Sequence, residues 1–190
     1  MFSTILIRFF DIILSLIFIL FCSPIFFIVY LLIVIMDGYP ILYISERVGK
    51  NGILFKFFKF RTMKTKKSLN EQDTITFIGK YLRRLSIDEL PQLYNVLIND
   101  MSIVGPRPLP IDIEKQISKE NLIIRRSIKP GITGYSQILY NKKKRSWDEK
   151  IKDDLIMIKK YNFKSYLFII IQTFPVLIKR FKFNSKGDTL

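Results

Sequence analysis

The sequence predicts a mostly helical α+β protein in two parts: a membrane-associated helix over residues 1–36, and a domain over residues 37–190 with a small β-hairpin. Three observations predict it. The 190 residues are 49% hydrophobic yet carry a formal charge of +15, and the two properties are segregated. Residues 1–44 hold only Arg8, Asp11 and Asp37 as charges, a net −1, so the remaining body carries +16. That body shows helical apolar periodicity, and Asn51-Gly52 between two extended segments marks a hairpin.

From Ile5 to Ile35 the chain is almost wholly apolar. As one helix it would reach about 46 Å at ~1.5 Å per residue, against a hydrocarbon core of ~30 Å. Pro24, near its middle after Ser23, removes a backbone hydrogen bond and predicts a kink. A cleaved signal peptide is disfavoured because no small-x-small site follows the apolar run. Bulky Phe21 argues against lipidation of Cys22. Two readings stay open: a plain anchor, or a helix–break–helix hairpin that enters and leaves by the same face. Arg8 and Asp11, one turn apart, suit the hairpin because both charges can stay at the interface. Under either reading the positive-inside rule puts the basic body in the cytoplasm.

After the turn Asp37-Gly38-Tyr39-Pro40 come a short strand, the turn Gly49–Gly52, and a second strand over 53–61. The second strand mixes Phe with Lys, as a strand half in lipid headgroups or an ordinary strand with solvated lysines would. Residues 64–75 are polar and predict a loop. Helical patterns occupy 75–85, 89–99, 110–121 and 147–161. Lys129–Gly134 predicts a rigid turn, with Pro130 fixing φ and two glycines free for positive φ. The segment Tyr166–Phe183, interrupted by Pro175, predicts an amphipathic helix lying in the interface.

Composition narrows the chemistry. The chain has no histidine and one cysteine, which excludes a His-based triad, a zinc site and an internal disulfide. A basic body behind an apolar head fits anionic lipid better than nucleic acid, which needs no such head. Acid–base or nucleophilic work falls to carboxylates, Lys, Tyr or Ser.

The candidate site is the pair Asp88-Glu89 in Arg83-Arg84-Leu85-Ser86-Ile87-Asp88-Glu89-Leu90-Pro91. Ser86 and Glu89 also match a capping box with Pro91 in the first turn, a purely structural alternative. Arg83, Arg84 and Arg107 are rigid donors suited to bidentate phosphate binding. A carboxylate beside them should stay ionised. One carboxylate can attack phosphorus while its neighbour holds Mg²⁺ with phosphate oxygens. Gly105-Pro106-Arg107-Pro108 presents its arginine from a stiffened backbone.

The motifs Asp88-Glu89-Leu90-Pro91-Gln92-Leu93, Asp100-Met101-Ser102-Ile103-Val104-Gly105-Pro106-Arg107-Pro108 and Lys129-Pro130-Gly131-Ile132-Thr133-Gly134 resemble those of the bacterial sugar transferase family, the monotopic phosphoglycosyl transferases. So do Ser23-Pro24, Arg47-Val48-Gly49-Lys50-Asn51-Gly52 and Lys59-Phe60-Arg61-Thr62-Met63. The resemblance implies transfer of a phospho-sugar from a UDP-sugar to polyprenyl phosphate, releasing UMP and starting assembly of a surface glycan. It implies Asp88 as nucleophile, Glu89 with Asp88 toward Mg²⁺, and Lys59 and Arg61 beside the three arginines as phosphate ligands. It also implies a re-entrant helix broken at Ser23-Pro24, in a bacterial inner membrane with the catalytic domain on its cytoplasmic face. Three positions depart from the family pattern: Ser45, Asn99 and Tyr166. The rival readings are a non-catalytic basic protein that gathers anionic lipid, and a transferase of ordinary spanning topology. No residue selects one sugar or one oligomeric state.

Overall fold

A computed structural model describes residues 2–64, 74–139 and 146–184. The chain is mostly helical, with two small two-stranded sheets and one long apolar N-terminal helix. That helix, α1, runs from Phe2 to Met36 with Pro24 inside it. Ser23-Pro24 thus sits within one helical element rather than between two, and the Ser23 hydroxyl donates to the Leu20 carbonyl at 2.8 Å. By length and composition α1 can cross a membrane.

Both ends of α1 dock on the same body. Near its start, the Arg8 guanidinium donates to the Val96 and Leu97 carbonyls at 2.6 and 2.8 Å, where a cation suits the partial negative charge of a helix C-terminus. Asp11 and Ser15 are buried there as well. Toward its end, Val29 and Ile33 pack with Phe60, Ile78 and Leu82. Between these anchors Leu16, Ile17, Leu20, Phe21, Ile25, Phe27 and Ile28 stay exposed.

Strands β1 (Leu42–Val48) and β2 (Leu54–Phe60) pair antiparallel, Leu42 opposite Phe60 and Val48 opposite Leu54. Their connection uses Asn51 at φ 56° and Gly52 at φ 82°, the left-handed pair that Asn-Gly predicts. Phe55, Phe57 and Phe60 are buried, so these side chains of the Phe/Lys stretch pack into the core.

Helix α2 (Phe77–Arg84) starts on Thr76, whose hydroxyl accepts from the Gly79 amide at 2.9 Å. Most of the expected 64–75 loop lies outside the described residues. A short 3₁₀ turn, Ile87–Glu89, leads into α3 (Gln92–Leu97). Asn95 in α3 is fully buried and ties it to β2, accepting from the Phe58 amide at 3.2 Å and donating to the Lys56 carbonyl at 2.6 Å. The helix expected over 110–121 is two: α4 (Ile111–Glu114) and α5 (Lys119–Arg125), the second begun by a Ser118 cap. The rest are α6 (Tyr135–Ile138), α7 (Trp147–Lys159) and α8 (Phe163–Asn184), the last unbroken through Pro175. α8 is apolar over Phe163–Ile178, shorter than a full span, and the side chains of its basic end lie outside those described.

Two strands went unread in the sequence. β3 (Ser102–Val104) and β4 (Gly131–Thr133) pair in parallel, Ser102 opposite Gly131 and Val104 opposite Thr133. The expected turn at Lys129–Gly134 is therefore corrected. Gly134 has an extended φ of −176°, and Gly131 does not appear among the positive-φ residues. These glycines serve close approach: a Cβ on Gly131 would lie 2.0 Å from the Gly105 nitrogen. Gly131→Ala is expected to cost about 3 kcal/mol by forcing the two backbones apart, read as a lower melting temperature.

Candidate active site

Three elements converge on the acidic pair. Ser86 adopts a left-handed conformation, φ 56°, and makes no side-chain cap. The capping-box alternative is thereby overturned: Glu89 turns away from Ser86 to meet two cations. Its Oε1 lies 2.6 Å from Lys59 Nζ on β2 and 3.1 Å from Arg107 Nη2 on the loop after β3. (The chain does form a capping box, at Ser146 and Glu149.) Burial pushes Glu89 upward, but Arg107 and Lys59 outweigh it and hold its carboxyl down at about 2.

Asp88 sits in the same turn under the opposite balance. It is 7% exposed, and its nearest cation is Lys59, with Nζ 3.8 Å from Oδ2. Burial pushes its carboxyl up to about 6, Lys59 resists, and the adjacent Glu89 adds to the rise. Two neighbouring carboxylates are thus pushed in opposite directions, Asp88 by burial and Glu89 by its two cations. At about 6 the Asp88 carboxyl is still mostly ionised at neutral pH, as expected beside these cations, although desolvation outweighs their pull on its value.

The other predicted phosphate ligands are spread around this centre. Arg83 donates from Nε to the Thr62 hydroxyl at 2.8 Å, and its charge still reaches Asp88. Arg84 follows it at the end of α2. Arg61 is placed elsewhere: it is buried, and its guanidinium donates to the carbonyls of Asp37, Gly38 and Tyr39. It clamps the exit of α1 to the end of β2.

The Arg107 loop is positioned from beneath. The two residues before Arg107 are pinned to β4, with Gly105 N donating to Thr133 O and Gly131 N to Pro106 O, both at 2.9 Å. Arg125, 4% exposed, donates to the Arg107 carbonyl and to Asp154 Oδ2, the latter at 2.8 Å, and lies 3.7 Å from Glu114. Arg126 closes the network on Glu114 at 2.6 Å. Burial raises the Asp154 carboxyl while Arg125 opposes the rise.

A cleft of about 170 Å³ opens beside the pair, lined by Arg47, Lys59, Glu89, Gln92, Arg107 and Trp147 among others. Sequence reasoning missed Arg47 and Gln92 as site residues. Arg47 lay inside a recognised motif, but only the register of β1 on β2 turns it toward Phe57, whose ring centroid is 5.5 Å from the guanidinium.

Two of the departures have physical reasons. Asn99 takes φ 76°, a conformation that asparagine tolerates where glycine is the default, and its amide oxygen accepts from Lys129. Tyr166 is fully buried and donates to Asp11 at 2.8 Å. Asp11 accepts from the Ile103 amide and the Ser102 hydroxyl as well, so the pair joins α1 and α8 to β3. Nothing in the structure explains Ser45, whose buried hydroxyl has no hydrogen-bond partner among the described residues.

Mg²⁺ suits this donor set. No hydrogen bond reaches the Asp88 carboxylate among the described residues, and Glu89 lies next to it. Such a cation needs one or two carboxylates plus phosphate oxygens and waters. A cage of three or more acidic, His or Cys side chains, which would suit an all-protein site, is absent among the described residues.

The chain matches the model of the bacterial sugar transferase family over residues 2–180. It is 40% identical over 161 residues to the galactosyl transferase CpsE of Streptococcus agalactiae, covering 75% of this chain and 35% of that one. It is 32% identical over 193 residues to the exopolysaccharide production protein ExoY of Sinorhizobium fredii, covering 90% and 84%. With the UDP-glucose:undecaprenyl-phosphate glucose-1-phosphate transferase of Escherichia coli it shares 36% identity over 137 residues, 67% of this chain and 30% of that one. The chain therefore spans about a third of some relatives and most of another. With the match to the family model running through nearly all of its length, the chain belongs to the bacterial sugar transferase family.

Proposed function

We propose that this protein transfers a phospho-sugar from a UDP-sugar to undecaprenyl phosphate at the cytoplasmic face of a bacterial inner membrane, the first step of surface-glycan assembly. The observation that carries this reading is the split pair: a buried Asp88, with no hydrogen bond among the described residues, beside a Glu89 held ionised by Lys59 and Arg107. Galactosyl and glucose-1-phosphate transferases among the relatives support the substrate class.

In the first step an Asp88 oxygen attacks the sugar-bearing phosphorus of the donor. A P–O bond forms to Asp88 and the P–O bond to the UMP oxygen breaks, so UMP departs with both electrons. In the second, an oxygen of undecaprenyl phosphate attacks the same phosphorus and Asp88 leaves as a carboxylate. A covalent intermediate lets one site meet a water-soluble donor and a lipid-bound acceptor in turn. Desolvation makes Asp88 a stronger base and nucleophile than a solvated carboxylate. Lys59 and Arg107 stabilise charge on the transferring group. Asp88 and Glu89 would hold Mg²⁺, which supplies further neutralisation of phosphate charge.

The membrane arrangement follows the same logic. Residues 1–36 are the membrane element and residues 37–190 the catalytic domain at the surface. Docking of both ends of α1 on one body, with an exposed apolar middle around Pro24, supports a re-entrant element bent at Ser23-Pro24. The exposed Phe168, Ile171, Phe174, Leu177 and Ile178 of α8 suit an interfacial helix beside it. Tags at the two termini should both be reached by protease from the cytoplasmic side; a protected N-terminus would instead indicate a span.

The test of the reaction is UMP release from a panel of UDP-sugars by purified protein in nanodiscs with Mg²⁺ and undecaprenyl phosphate. Release with one or more donors is expected, and none with any donor would contradict the reading. Glu89→Gln should slow release by roughly 100-fold or more and flatten the Mg²⁺ titration. It should also lower stability, since a depressed carboxyl contributes stability above its ordinary 4.5 that fades as pH falls toward about 2.

A further inference from the structure

We propose that Arg47 is the ligand of the departing nucleotide's phosphate, one end of a diphosphate cradle whose other end is Lys59 and Arg107. This rests on the transfer reading above and adds a direction to it. Along the cleft stand three cations, Arg47, Lys59 and Arg107, against one carboxylate, Glu89. That wall is positive in excess, as a cradle for a diphosphate must be.

The cations are not equivalent. Lys59 and Arg107 both bind Glu89, and both act on Asp88. Arg47 has no carboxylate partner among the described residues, and its Nε is buried without a hydrogen bond. Its guanidinium and the Lys59 ammonium each lie 5.5 Å from the centroid of one Phe57 ring, so both cations share that wall of the cleft. Lys59 and Arg107 are among the leading charges on Asp88, whereas burial and the like charge of Arg107 weigh against the protonation of Arg47 itself. A half-buried arginine that faces a second arginine and no acid is an anion site waiting for its anion. Gln92, 2% exposed on the same wall, adds a side-chain amide nitrogen with no partner.

Order along the cleft then follows. The phosphorus that Asp88 attacks lies with Lys59 and Arg107, and the phosphate that leaves with uridine lies at Arg47. Two parallel N–H donors fix that leaving group in line with the nucleophile, a geometry that lysine cannot reproduce.

The test is calorimetric binding of UMP and of uridine to full-length protein in nanodiscs, for wild type, Arg47→Gln and Arg47→Lys. Wild type should bind UMP more tightly than uridine. Arg47→Gln should weaken UMP by roughly 10- to 100-fold, the scale of losing hydrogen bonds to a charged group, and leave uridine unchanged. Arg47→Lys, which keeps the stem over Phe57 and the charge, should give an intermediate loss and covers the case in which the glutamine variant fails to fold. Equal weakening of UMP and uridine, or no change in either, overturns the assignment. UMP release by wild type is scored separately. UMP binding that depends on Arg47 without release from any donor would sink the transfer reading and keep the subsite. Normal release with UMP binding insensitive to Arg47 would do the reverse.

Discussion

Asp88→Asn is expected to abolish turnover and at the same time raise the melting temperature. Loss of the nucleophile removes the covalent step, so release of UMP should fall by 10³-fold or more, on the scale of activated-nucleophile knockouts. The gain in stability comes from the same feature that makes Asp88 useful. Burial pushes its carboxyl from the ordinary 3.8 to about 6 in the folded chain, against the pull of Lys59. At neutral pH the ionised group therefore destabilises the fold by on the order of 1–3 kcal/mol. An asparagine of the same shape carries no such cost.

The pH dependence of that gain is a sharper check. Below 3.8 the carboxyl is neutral in folded and unfolded chains alike, and it contributes nothing. As pH rises, the unfolded chain ionises first and wild-type stability falls until the folded carboxyl titrates near 6. Melting temperatures of the two proteins without Mg²⁺ should thus converge below about pH 4 and separate up to about pH 6. A variant less stable than wild type at pH 7 would mean that Asp88 is held by favourable partners instead of by burial.

Arg125→Met is expected to be the most destabilising single change outside the glycines. It strips the partner from Asp154, 1% exposed, and from Glu114, 3% exposed. Removing one member of a buried ionic group costs about 3–5 kcal/mol, chiefly from the charges left unpaired. It also frees the carbonyl of Arg107, so the residual enzyme should lose rate as well as stability. The double variant Arg125→Met with Asp154→Leu should recover part of the melting temperature, because it removes one stranded charge, but not the rate. If Arg125→Met melts within a degree or two of wild type, the network is not what holds the Gly105–Pro108 loop.

Legibility in the sequence followed the range of the physics. The Asn51-Gly52 hairpin, the α1 apolar run and the Trp147–Lys159 helix are local patterns, and each falls within a few residues of its predicted place. β3 and β4 are three residues each, too short for an alternation, and exist because Gly105 and Gly131 let two backbones touch. Asp88, Glu89 and Arg107 were legible as an acidic pair and a stiff arginine. Lys59 and Arg61 occupy one motif, but tertiary packing sends Arg61 to carbonyls at the exit of α1 and Lys59 to the acids. Arg47 depends on which way a strand faces, and the bond between Asp11 and Tyr166 spans nearly the whole chain.

The central claim is that Asp88 itself carries the phospho-sugar between donor and lipid. The most direct measurement is the intact mass of the protein after incubation with a reactive UDP-sugar and Mg²⁺, without undecaprenyl phosphate. A gain of one phospho-sugar in wild type is expected, mapping to the peptide of Asp88, absent from Asp88→Asn and discharged on adding the lipid acceptor. Product formed on adding the acceptor without any such adduct, or an adduct on another residue, would contradict the account.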